Sequence, residues 1–420
     1  MPPAIHMSPG ESRRSAGERI RVALFETIPF RVLSPIAFVL NYWIGVATFV
    51  HVTNDNPVGT EGVDVLVIGG GQAGLAMGYH LADRGLAFVI ADANREIGHE
   101  WRSRWRSLKL FTAGRYNNLP GMRFPADPDA YPGKDDVADF LQAYVEKFQL
   151  PVRLNTAVTR LSRADEAGYL AETTTGPIHA QQVVIATGPF QIPSIPPIAE
   201  RLDPGLTQLH SAAYQGPEDL PEGRVLVAGG ANSGQQIALE LADSHDVEIA
   251  VGQRLPTLPQ RPLGRDIWWW LSATRLARVP VSSRLGQRLS QRDVVIGGGL
   301  RELRRHGVAV RPRVTDASGR AITFEGGESA EYDGIVWATG FRIDHSWIEV
   351  PEVKDERDQV RHVRGVTDSP GLYLLGMTWQ HTRTSALLGW VGEDAAFLAD
   401  RVEATKHAPA ASETLAEATT

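Results

Sequence analysis

Cysteine is absent from this chain of 420 residues. A chain with no thiol has no disulfide framework, no thiolate zinc site, no cysteine nucleophile and no redox-active dithiol. A surplus of positive charge is also missing, since 42 Lys and Arg residues face 49 Asp and Glu residues and the formal net charge is -7. General affinity for a phosphate backbone requires such a surplus, so nucleic acid is not expected as a partner.

The chain does contain enough apolar sequence for more than one buried core. Hydrophobic residues make up 43% and charged residues 22% of the sequence, which is typical of globular proteins rather than of disordered ones. At roughly 100–200 residues per domain, this length predicts two or three domains. The 41 glycines are more specific, because several of them directly follow apolar runs.

The first 60 residues differ from the rest of the chain. An uncharged apolar segment at residues 32–50 follows a stretch rich in arginine, and as a helix it would be about 28 Å long, close to the thickness of a bilayer core. Pro35, Asn41 and Gly45 interrupt it, so three interpretations stay open: an extension with no fixed role, an anchor on a membrane surface, or a spanning helix or signal. A spanning helix would place the remaining chain outside the cytoplasm. Because the interruptions argue against a spanning helix, a cytoplasmic location is favoured, with membrane association as the alternative.

A glycine pattern marks the first candidate binding site. An apolar run typical of a buried parallel strand leads directly into G-x-G-x-x-G at residues 69–74. Gly69 permits the tight turn, Gly71 lets the backbone approach a pyrophosphate, and Gly74 lets the next helix pack on its strand. A second apolar run ends at Asp92, whose carboxylate would bind ribose hydroxyls and repel a 2'-phosphate. The pattern predicts a dinucleotide without that phosphate.

The same unit recurs at residues 224–251, with Ala231 where the middle glycine of the pattern belongs. No acid follows its second strand, and the guanidinium of Arg254 could bind a 2'-phosphate through two N–H groups. The alternative is that Arg254 is a solvated surface residue. Two different dinucleotides in one chain suggest electron transfer between FAD at the first site and NADPH at the second. The second loop contributes four candidate cofactor-binding residues: Gly229, Asn232, Ser233 and Gly234.

Two further apolar strands each stop on Ala-Thr-Gly. Small residues at a strand end let the backbone pass close to a cofactor or cross between domains, and the positions of these strands predict that the second domain is inserted into the first. The expected fold class is α/β, with two Rossmann-like domains. Residues 61–195 and 331–405 would form the FAD domain, residues 196–330 the NADPH domain and residues 406–420 a disordered tail. The strand ends add four candidate cofactor-binding residues: Thr187, Gly188, Thr339 and Gly340.

The order of these motifs resembles the class B flavin-dependent monooxygenases, a family that includes the flavin-containing monooxygenases, the YUCCA-type enzymes and bacterial CzcO-like flavoproteins. The resemblance covers about residues 61–405. The stretch at residues 98–112 looks like the family's segment under the isoalloxazine ring, and residues 371–394 resemble its closing FAD contact. The resemblance therefore adds three candidate cofactor-binding residues: Trp101, Lys109 and Gln380.

The family's signature between its domains is F-x-G-x-x-x-H-x-x-x-(Y/F), and this chain keeps its His and Tyr. The resemblance makes His210 and Tyr214 the candidate catalytic residues, with His210 either orienting NADP or packed between the domains. Pro204 and Leu206 replace the Phe and the Gly, and Phe111 stands where flavin-containing monooxygenases carry Asn. These departures argue against the Baeyer–Villiger branch and leave oxygen activation as an open question.

The resemblance implies a specific reaction. NADPH would reduce FAD, the reduced flavin would form a C4a-hydroperoxyflavin with O2, and one oxygen atom would pass to a small N-, S- or carbonyl-containing substrate. No metal is expected. The alternative is a non-oxygenating NADPH-linked reductase or redox-sensing module, which the altered signature and the apolar N-terminal segment favour. The tryptophan run at residues 268–270 would line a substrate passage, pack between the domains or rest on a membrane.

Overall fold

Residues 61–164, 168–291 and 294–406 are described by the computed structural model. The apolar N-terminal segment lies outside these ranges, as does the expected tail at residues 406–420 except for its first residue, which ends a helix. Within them, no helix is both long enough and apolar enough to cross a bilayer.

The described ranges contain two large sheets and the helices that cover them. The helices are α1 (Gln72–Asp83), α2 (His99–Arg102), α3 (Lys134–Phe148), α4 (Asn232–Leu241), α5 (Ile267–Ala273), α6 (Arg284–Ser290), α7 (Gly299–Arg305) and α8 (Val391–Lys406). The strands are β1 (Glu61–Ile68), β2 (Phe88–Ala91), β3 (Val152–Arg153), β4 (Val158–Arg163), β5 (Tyr169–Thr173), β6 (Ile178–Ile185), β7 (Ile192–Pro193), β8 (Thr207–His210), β9 (Arg224–Ala228), β10 (Asp246–Ala250), β11 (Thr257–Leu258), β12 (Val295–Ile296), β13 (Ala309–Arg311), β14 (Val314–Ser318), β15 (Ala321–Phe324), β16 (Ser329–Glu331), β17 (Gly334–Trp337), β18 (Phe341–Arg342), β19 (Ile348–Glu349) and β20 (Leu372–Leu374).

The first sheet has eight strands. Its parallel part runs in the order β3, β2, β1, β6 and β20, and residues 65–67 of β1 are fully buried, as expected for a strand covered on both faces. Apolar side chains of α1, α3 and α8 form the core on one face. Antiparallel strands β4 and β5 extend the sheet beside the first half of β6. The carboxyl ends of β1 and β2 therefore lie side by side.

The second sheet has five parallel strands in the order β13, β10, β9, β17 and β8. Helices α4 and α7 contribute to the core on one face, and residues of β14 and β15, strands of a small antiparallel sheet, contribute to the core on the other. The order β9, α4, β10 repeats the order β1, α1, β2, so each sheet contains one strand–turn–helix–strand unit of the predicted kind.

The path of the chain confirms the predicted fold class of two Rossmann-like domains, one inserted into the other. The chain leaves the first sheet after β6, forms the second sheet and returns to the first at β19 and β20.

One strand lies in a different sheet from the one expected. Strand β17 follows the expected boundary at residue 330, yet it pairs with β9 and β8 in the second sheet. It is apolar and buried along its length, and the second sheet supplies neighbours on both of its edges.

The outgoing and returning segments of the chain cross side by side. Strand β7 on the way out pairs antiparallel with β18 on the way back. The two Ala-Thr-Gly sequences directly precede these segments. This pairing brings the ends of β6 and β17 close to each other, although more than 140 residues separate them in sequence.

Candidate functional site

One cleft of about 580 Å³ receives residues from both glycine turns. Residues 69–73, around the start of α1, line it together with Asn232 and Ser233 at the start of α4. The loop after β2, the segment at residues 108–112 and residues 386–388 before α8 also contribute to its wall. The geometry thus brings the two predicted dinucleotide sites together.

The first glycine turn has the shape that its sequence predicts. Gly69 has φ of +110°, and an added Cβ there would lie 2.6 Å from the backbone oxygen of Ala186. At Gly74 an added Cβ would lie 1.9 Å from the oxygen of Gly69, so the helix packs too closely for any side chain. Gly71 differs, because an added Cβ would meet no protein atom within 4 Å. Its open side belongs to the cleft and leaves the backbone accessible to a ligand.

Asp92 lies at the cleft with both carboxylate oxygens held by the backbone. Its Oδ2 accepts a hydrogen bond from the backbone N–H of Gly70 at 2.5 Å, and its Oδ1 accepts one from Asn94 at 2.8 Å. These bonds orient the carboxylate, and each oxygen keeps a lone pair for a further donor. Asp92 therefore presents an oriented acceptor to the cleft.

The second turn repeats this geometry. Gly229 has φ of +133°, and an added Cβ at Gly234 would lie 1.9 Å from the oxygen of Gly229. Ala231 precedes α4 with φ of -83° and ψ of -177°, close to the values of -77° and -174° at Gly71 before α1. The difference between the turns is therefore the methyl group of Ala231 and not the backbone.

The second unit has Val251 where the first has Asp92. Each is the residue directly after the second strand of its unit, β10 or β2. An added Cβ at Gly70 would lie 2.9 Å from Oδ2 of Asp92, and one at Gly230 would lie 2.9 Å from Cγ1 of Val251. No carboxylate is therefore present at this position to repel a 2'-phosphate.

Arg254 is exposed and does not line the cleft, but it has a companion that the sequence analysis missed. Arg313 follows β13, and its Nη2 donates a hydrogen bond to the backbone oxygen of Gly252 at 3.2 Å. Strand β13 pairs parallel with β10, so the residues after the two strands reach the same edge of the sheet. Two guanidinium groups therefore follow neighbouring strands. The sequence signal that could have identified Arg313 is an arginine two positions after the end of a short apolar run.

Two of the candidate cofactor-binding residues, Trp101 and Lys109, line the cleft, and each is hydrogen-bonded to a helix that begins there. Trp101 donates through Nε1 to Oε1 of Gln72 at 3.2 Å, and Gln72 donates to the oxygen of Ala386 at 3.0 Å. The backbone of Lys109 exchanges two hydrogen bonds with the side chain of Gln236, at 3.3 and 3.1 Å. Because Gln236 belongs to α4, this pair connects the segment at residues 108–112 to the second domain.

The two Ala-Thr-Gly ends differ in position. Thr187 and Gly188 line the cleft, where Gln191 donates to the Thr187 hydroxyl at 3.0 Å and to the Gly188 oxygen at 2.8 Å. Thr339 and Gly340 do not line it. The Thr339 hydroxyl bonds to a backbone oxygen of the outgoing segment. Thr339 and Gly340 therefore lie where the outgoing and returning segments pair as β7 and β18.

His210 is buried and does not itself line the cleft, although Ser211 and Phe341 beside it do. Its Nε2 is 2.9 Å from the oxygen of Gly340, and its Nδ1 accepts from the backbone N–H of Ala212 at 3.1 Å. The ring meets Phe341 edge-on at 5.0 Å. Burial lowers the pKa of His210, so the neutral ring donates through Nε2. These contacts match the packed interdomain histidine rather than a residue that touches a cofactor.

Tyr214 and Gln380 do not line the cleft either. Tyr214 is fully buried in the core of the second domain, where its hydroxyl donates to Oε2 of Glu240 at 3.0 Å and burial raises its pKa. Gln380 is buried as well, and its Oε1 accepts from the backbone N–H of Met377 at 3.2 Å. His210, Tyr214 and Gln380 therefore all make contacts within the protein. The spacing of residues in a sequence does not distinguish such contacts from contacts to a ligand.

The tryptophan run packs between the domains through one of its members. Trp268 is fully buried, stacks on Phe111 at 6.2 Å and lies 5.0 Å from Trp390. Its Nε1 donates to the oxygen of Phe111 at 3.3 Å. Since Phe111 lines the cleft, Trp268 supports that wall from behind. Trp269 points to solvent, with the Arg265 guanidinium 4.4 Å from its ring.

The chain is similar to several known proteins over most of its length. The family model described as pyridine nucleotide-disulphide oxidoreductase matches residues 66–376. An uncharacterised CzcO-like oxidoreductase of Geobacillus kaustophilus is 45% identical over 338 residues, which are 80% of this chain and 97% of that protein. A probable indole-3-pyruvate monooxygenase of Arabidopsis thaliana, YUCCA1, is 24% identical over 350 residues, covering 74% of this chain and 84% of that protein.

A solved structure extends the comparison to three dimensions. The flavin-containing monooxygenase of Stenotrophomonas maltophilia matches with a TM-score of 0.70 and 29% identity, over 82% of this chain and 99% of that one. The absence of cysteine removes the redox dithiol that disulfide-reducing flavoproteins require. The chain belongs to the pyridine nucleotide-disulphide oxidoreductase family and, within it, to the class B flavin monooxygenases, FAD-dependent oxidoreductases whose second cofactor is NADPH.

Proposed function

We propose that this chain is an NADPH-dependent monooxygenase of the cytoplasm that transfers one oxygen atom from O2 to a small N-, S- or carbonyl-containing molecule. One observation carries the proposal: both glycine turns, one beside an acid and one beside arginines, contribute to the same cleft. Dinucleotides held at these two turns meet in one cleft, as hydride transfer between them requires.

The chain's own residues supply binding, orientation and exclusion of water. When bound, FAD accepts hydride from NADPH and in its reduced form reacts with O2. Gly71 and Asp92 would hold FAD, and Asn232 and Ser233 at the start of α4 would face NADPH. Phe111 supplies an apolar wall, backed by Trp268. Such a wall would keep water away from the flavin. Water at that position favours the side reaction in which the reduced oxygen leaves as hydrogen peroxide instead of passing to the substrate.

The substrate class rests on relatives of this chain. The Arabidopsis thaliana relative is named for indole-3-pyruvate, a carbonyl-containing acid. A carbonyl compound is therefore the first candidate within the proposed class. The wall of Phe111 and Trp268 suits an apolar group next to the reacting atom.

Labelled oxygen tests the proposal directly. Purified enzyme with FAD and NADPH would be supplied with ¹⁸O2 and a panel of amines, thioethers and 2-oxo acids. We expect one labelled oxygen atom in the product for each NADPH consumed with at least one substrate class, and little hydrogen peroxide. Peroxide equal to the NADPH consumed with every compound would overturn the proposal.

That opposite outcome would support a non-oxygenating flavoprotein reductase, the second candidate. One observation favours it: the cleft presents the ring of Phe111 where flavin-containing monooxygenases, by resemblance, carry an Asn side chain. Phe111→Asn separates the two functions. If the wild type releases peroxide and this variant transfers oxygen, the reductase is the native function and the missing amide is the reason. The matched control is Phe190→Asn, which places the amide elsewhere on the cleft wall.

A further inference from the structure

Residues 261–291 carry an unusual concentration of exposed apolar side chains. Of the nine large apolar side chains that are exposed in the described ranges, five lie in this short stretch of the second domain. A soluble surface normally carries such side chains singly. The five are Leu263, Trp269, Leu276, Leu285 and Leu289.

The same stretch is strongly basic in a chain that is acidic overall. It contains one acidic residue, Asp266, which is buried as the N-cap of α5. The whole chain has a net charge of -7, so this positive charge is local. The basic residues are six exposed arginines: Arg261, Arg265, Arg275, Arg278, Arg284 and Arg288. We call residues 261–291 the arginine–leucine surface.

Most of these arginines are available to a partner. Arg278 pairs with Glu393, and Arg261 bonds to the backbone of Asp129. For the other four, no carboxylate in the described ranges lies within salt-bridge distance. Four of the six exposed arginines therefore have no carboxylate partner within the described part of the chain, and the exposed leucines lie in the same stretch.

Helix α6 shows the arrangement most clearly. Leu285 and Leu289 are one helical turn apart and share a face, and Arg284 and Arg288 form a parallel stripe next to them. On α5, Trp269 projects outward under the guanidinium of Arg265, while Trp268 supports the cleft. Leucine, tryptophan and arginine in this arrangement are typical of segments that lie in the headgroup layer of a membrane.

From charge and exposure together, we propose that the arginine–leucine surface docks the enzyme on an anionic phospholipid bilayer. The arginines would contact lipid phosphates, and the leucines and Trp269 would enter the boundary between headgroups and acyl chains. Anionic lipid complements the local positive charge, whereas the net negative charge of the rest of the chain opposes docking by another face. The proposal concerns peripheral binding by the second domain and does not depend on the reaction catalysed.

Vesicle sedimentation of the full-length holoenzyme tests this proposal. The wild type should bind phosphatidylglycerol/phosphatidylcholine vesicles, bind pure phosphatidylcholine at least tenfold more weakly, and be released as salt rises. Arg284→Gln/Arg288→Gln and Leu285→Ser/Leu289→Ser should each weaken binding to the anionic vesicles about tenfold or more. Residues 1–60 are present in every variant, so their contribution is constant.

The matched control is Arg304→Gln/Arg305→Gln on α7, a helix of the same length on which Arg304 and Arg305 are exposed but Leu303 is buried. It removes the same charge and should leave binding unchanged. FAD content and melting temperature should stay at wild-type values in all variants. Unchanged binding by both α6 variants, equal loss in the control, or a dimer in solution that the leucine variant disrupts would each overturn the proposal.

Discussion

Gly71 and Gly133 both precede the first turn of a helix with extended backbone angles. Neither needs to be glycine for reasons of strain, since an added Cβ would meet nothing within 4 Å at Gly71 and only ordinary contacts, from 3.6 Å, at Gly133. They differ in surroundings, because Gly71 lines the cleft and Gly133 does not. Comparing substitutions at the two glycines therefore distinguishes an effect on FAD binding from an effect on helix formation.

Gly71→Ala should weaken FAD binding about tenfold, equivalent to about 1.4 kcal/mol, because the methyl group would occupy space that the pyrophosphate requires. The melting temperature of the apoprotein should change by less than about 2 °C. Titration of apoprotein with FAD and a thermal melt measure the two effects. Gly133→Ala should bind FAD like the wild type, and equal weakening in both variants would contradict the assignment.

Arg254 and Arg313 are the residues that we propose as contacts of the 2'-phosphate of NADPH. Arg254→Ala and Arg313→Ala should each raise KM for NADPH about tenfold, given about 1–3 kcal/mol for hydrogen bonds to a charged group, and leave KM for NADH nearly unchanged. Initial rates with both coenzymes measure this. Arg305→Ala, at an exposed position in the same domain, serves as the control. If NADH is affected as strongly as NADPH, neither arginine binds the 2'-phosphate.

Within the second sheet, one buried carboxylate joins two neighbouring strands and the small antiparallel sheet. Glu248 on β10 accepts two hydrogen bonds from Arg311 on β13, at 2.8 and 3.0 Å, and one from Arg224 on β9 at 2.5 Å. The Tyr332 hydroxyl, from the segment after β16, also donates to it. Burial alone would raise the pKa of Glu248, but these donors lower it to about 2.

Glu248→Gln should lower the free energy of unfolding by about 2 kcal/mol, since the partly buried guanidinium groups of Arg224 and Arg311 lose their charge-assisted hydrogen bonds to this carboxylate. Glu328→Gln is the matched control. Glu328 also pairs with Arg311 but is exposed, so its loss should cost less than about 1 kcal/mol. Urea unfolding curves give both values. Similar losses in the two variants would show that burial does not strengthen the Glu248 contacts.

The same carboxylate predicts how stability depends on pH. A pKa that is lower in the folded chain than its usual value of 4.5 means that the folded state binds a proton less readily than the unfolded state. The stabilisation is therefore complete above about pH 4.5 and declines as the pH falls towards 2. The stability difference between wild type and Glu248→Gln should narrow over this window.

At the scale of the whole molecule, the two domains are joined where β7 and β18 cross. His210 holds this crossing through Gly340 and packs against Phe341. His210→Ala should lower the free energy of unfolding by about 1–3 kcal/mol, because buried partners lose their hydrogen bonds. Well below the melting temperature, the rate of flavin reduction by NADPH should fall less than tenfold.

Thermal melts and stopped-flow reduction measure these two effects, and His306→Ala, at an exposed position on the second domain, is the control. A large rise in the Kd for NADPH with unchanged stability would instead support the NADP-orienting role. The folded pKa of His210 lies below 6.5, so its stabilising contribution is present above pH 6.5 and is lost as the pH falls below it.

The sequence predicted both nucleotide units correctly because their signals are local. An apolar run, three spaced residues in a turn and the residue after the next strand lie within about 30 residues of one another. The placement of Arg313 could not be predicted in this way. It follows Arg254 by 59 positions and reaches the same sheet edge only because β13 pairs with β10.

By itself, the sequence determined that two dinucleotide turns exist, which of them has an acid, and that no thiol chemistry is available. Tertiary structure decided which side chains reach the cleft: Phe111 does, whereas His210, Tyr214 and Gln380 pack elsewhere. It also decided that Trp268 faces the interior and Trp269 the solvent. The physical reason is that the direction of a side chain depends on the pairing of strands and the packing of helices that are distant in sequence.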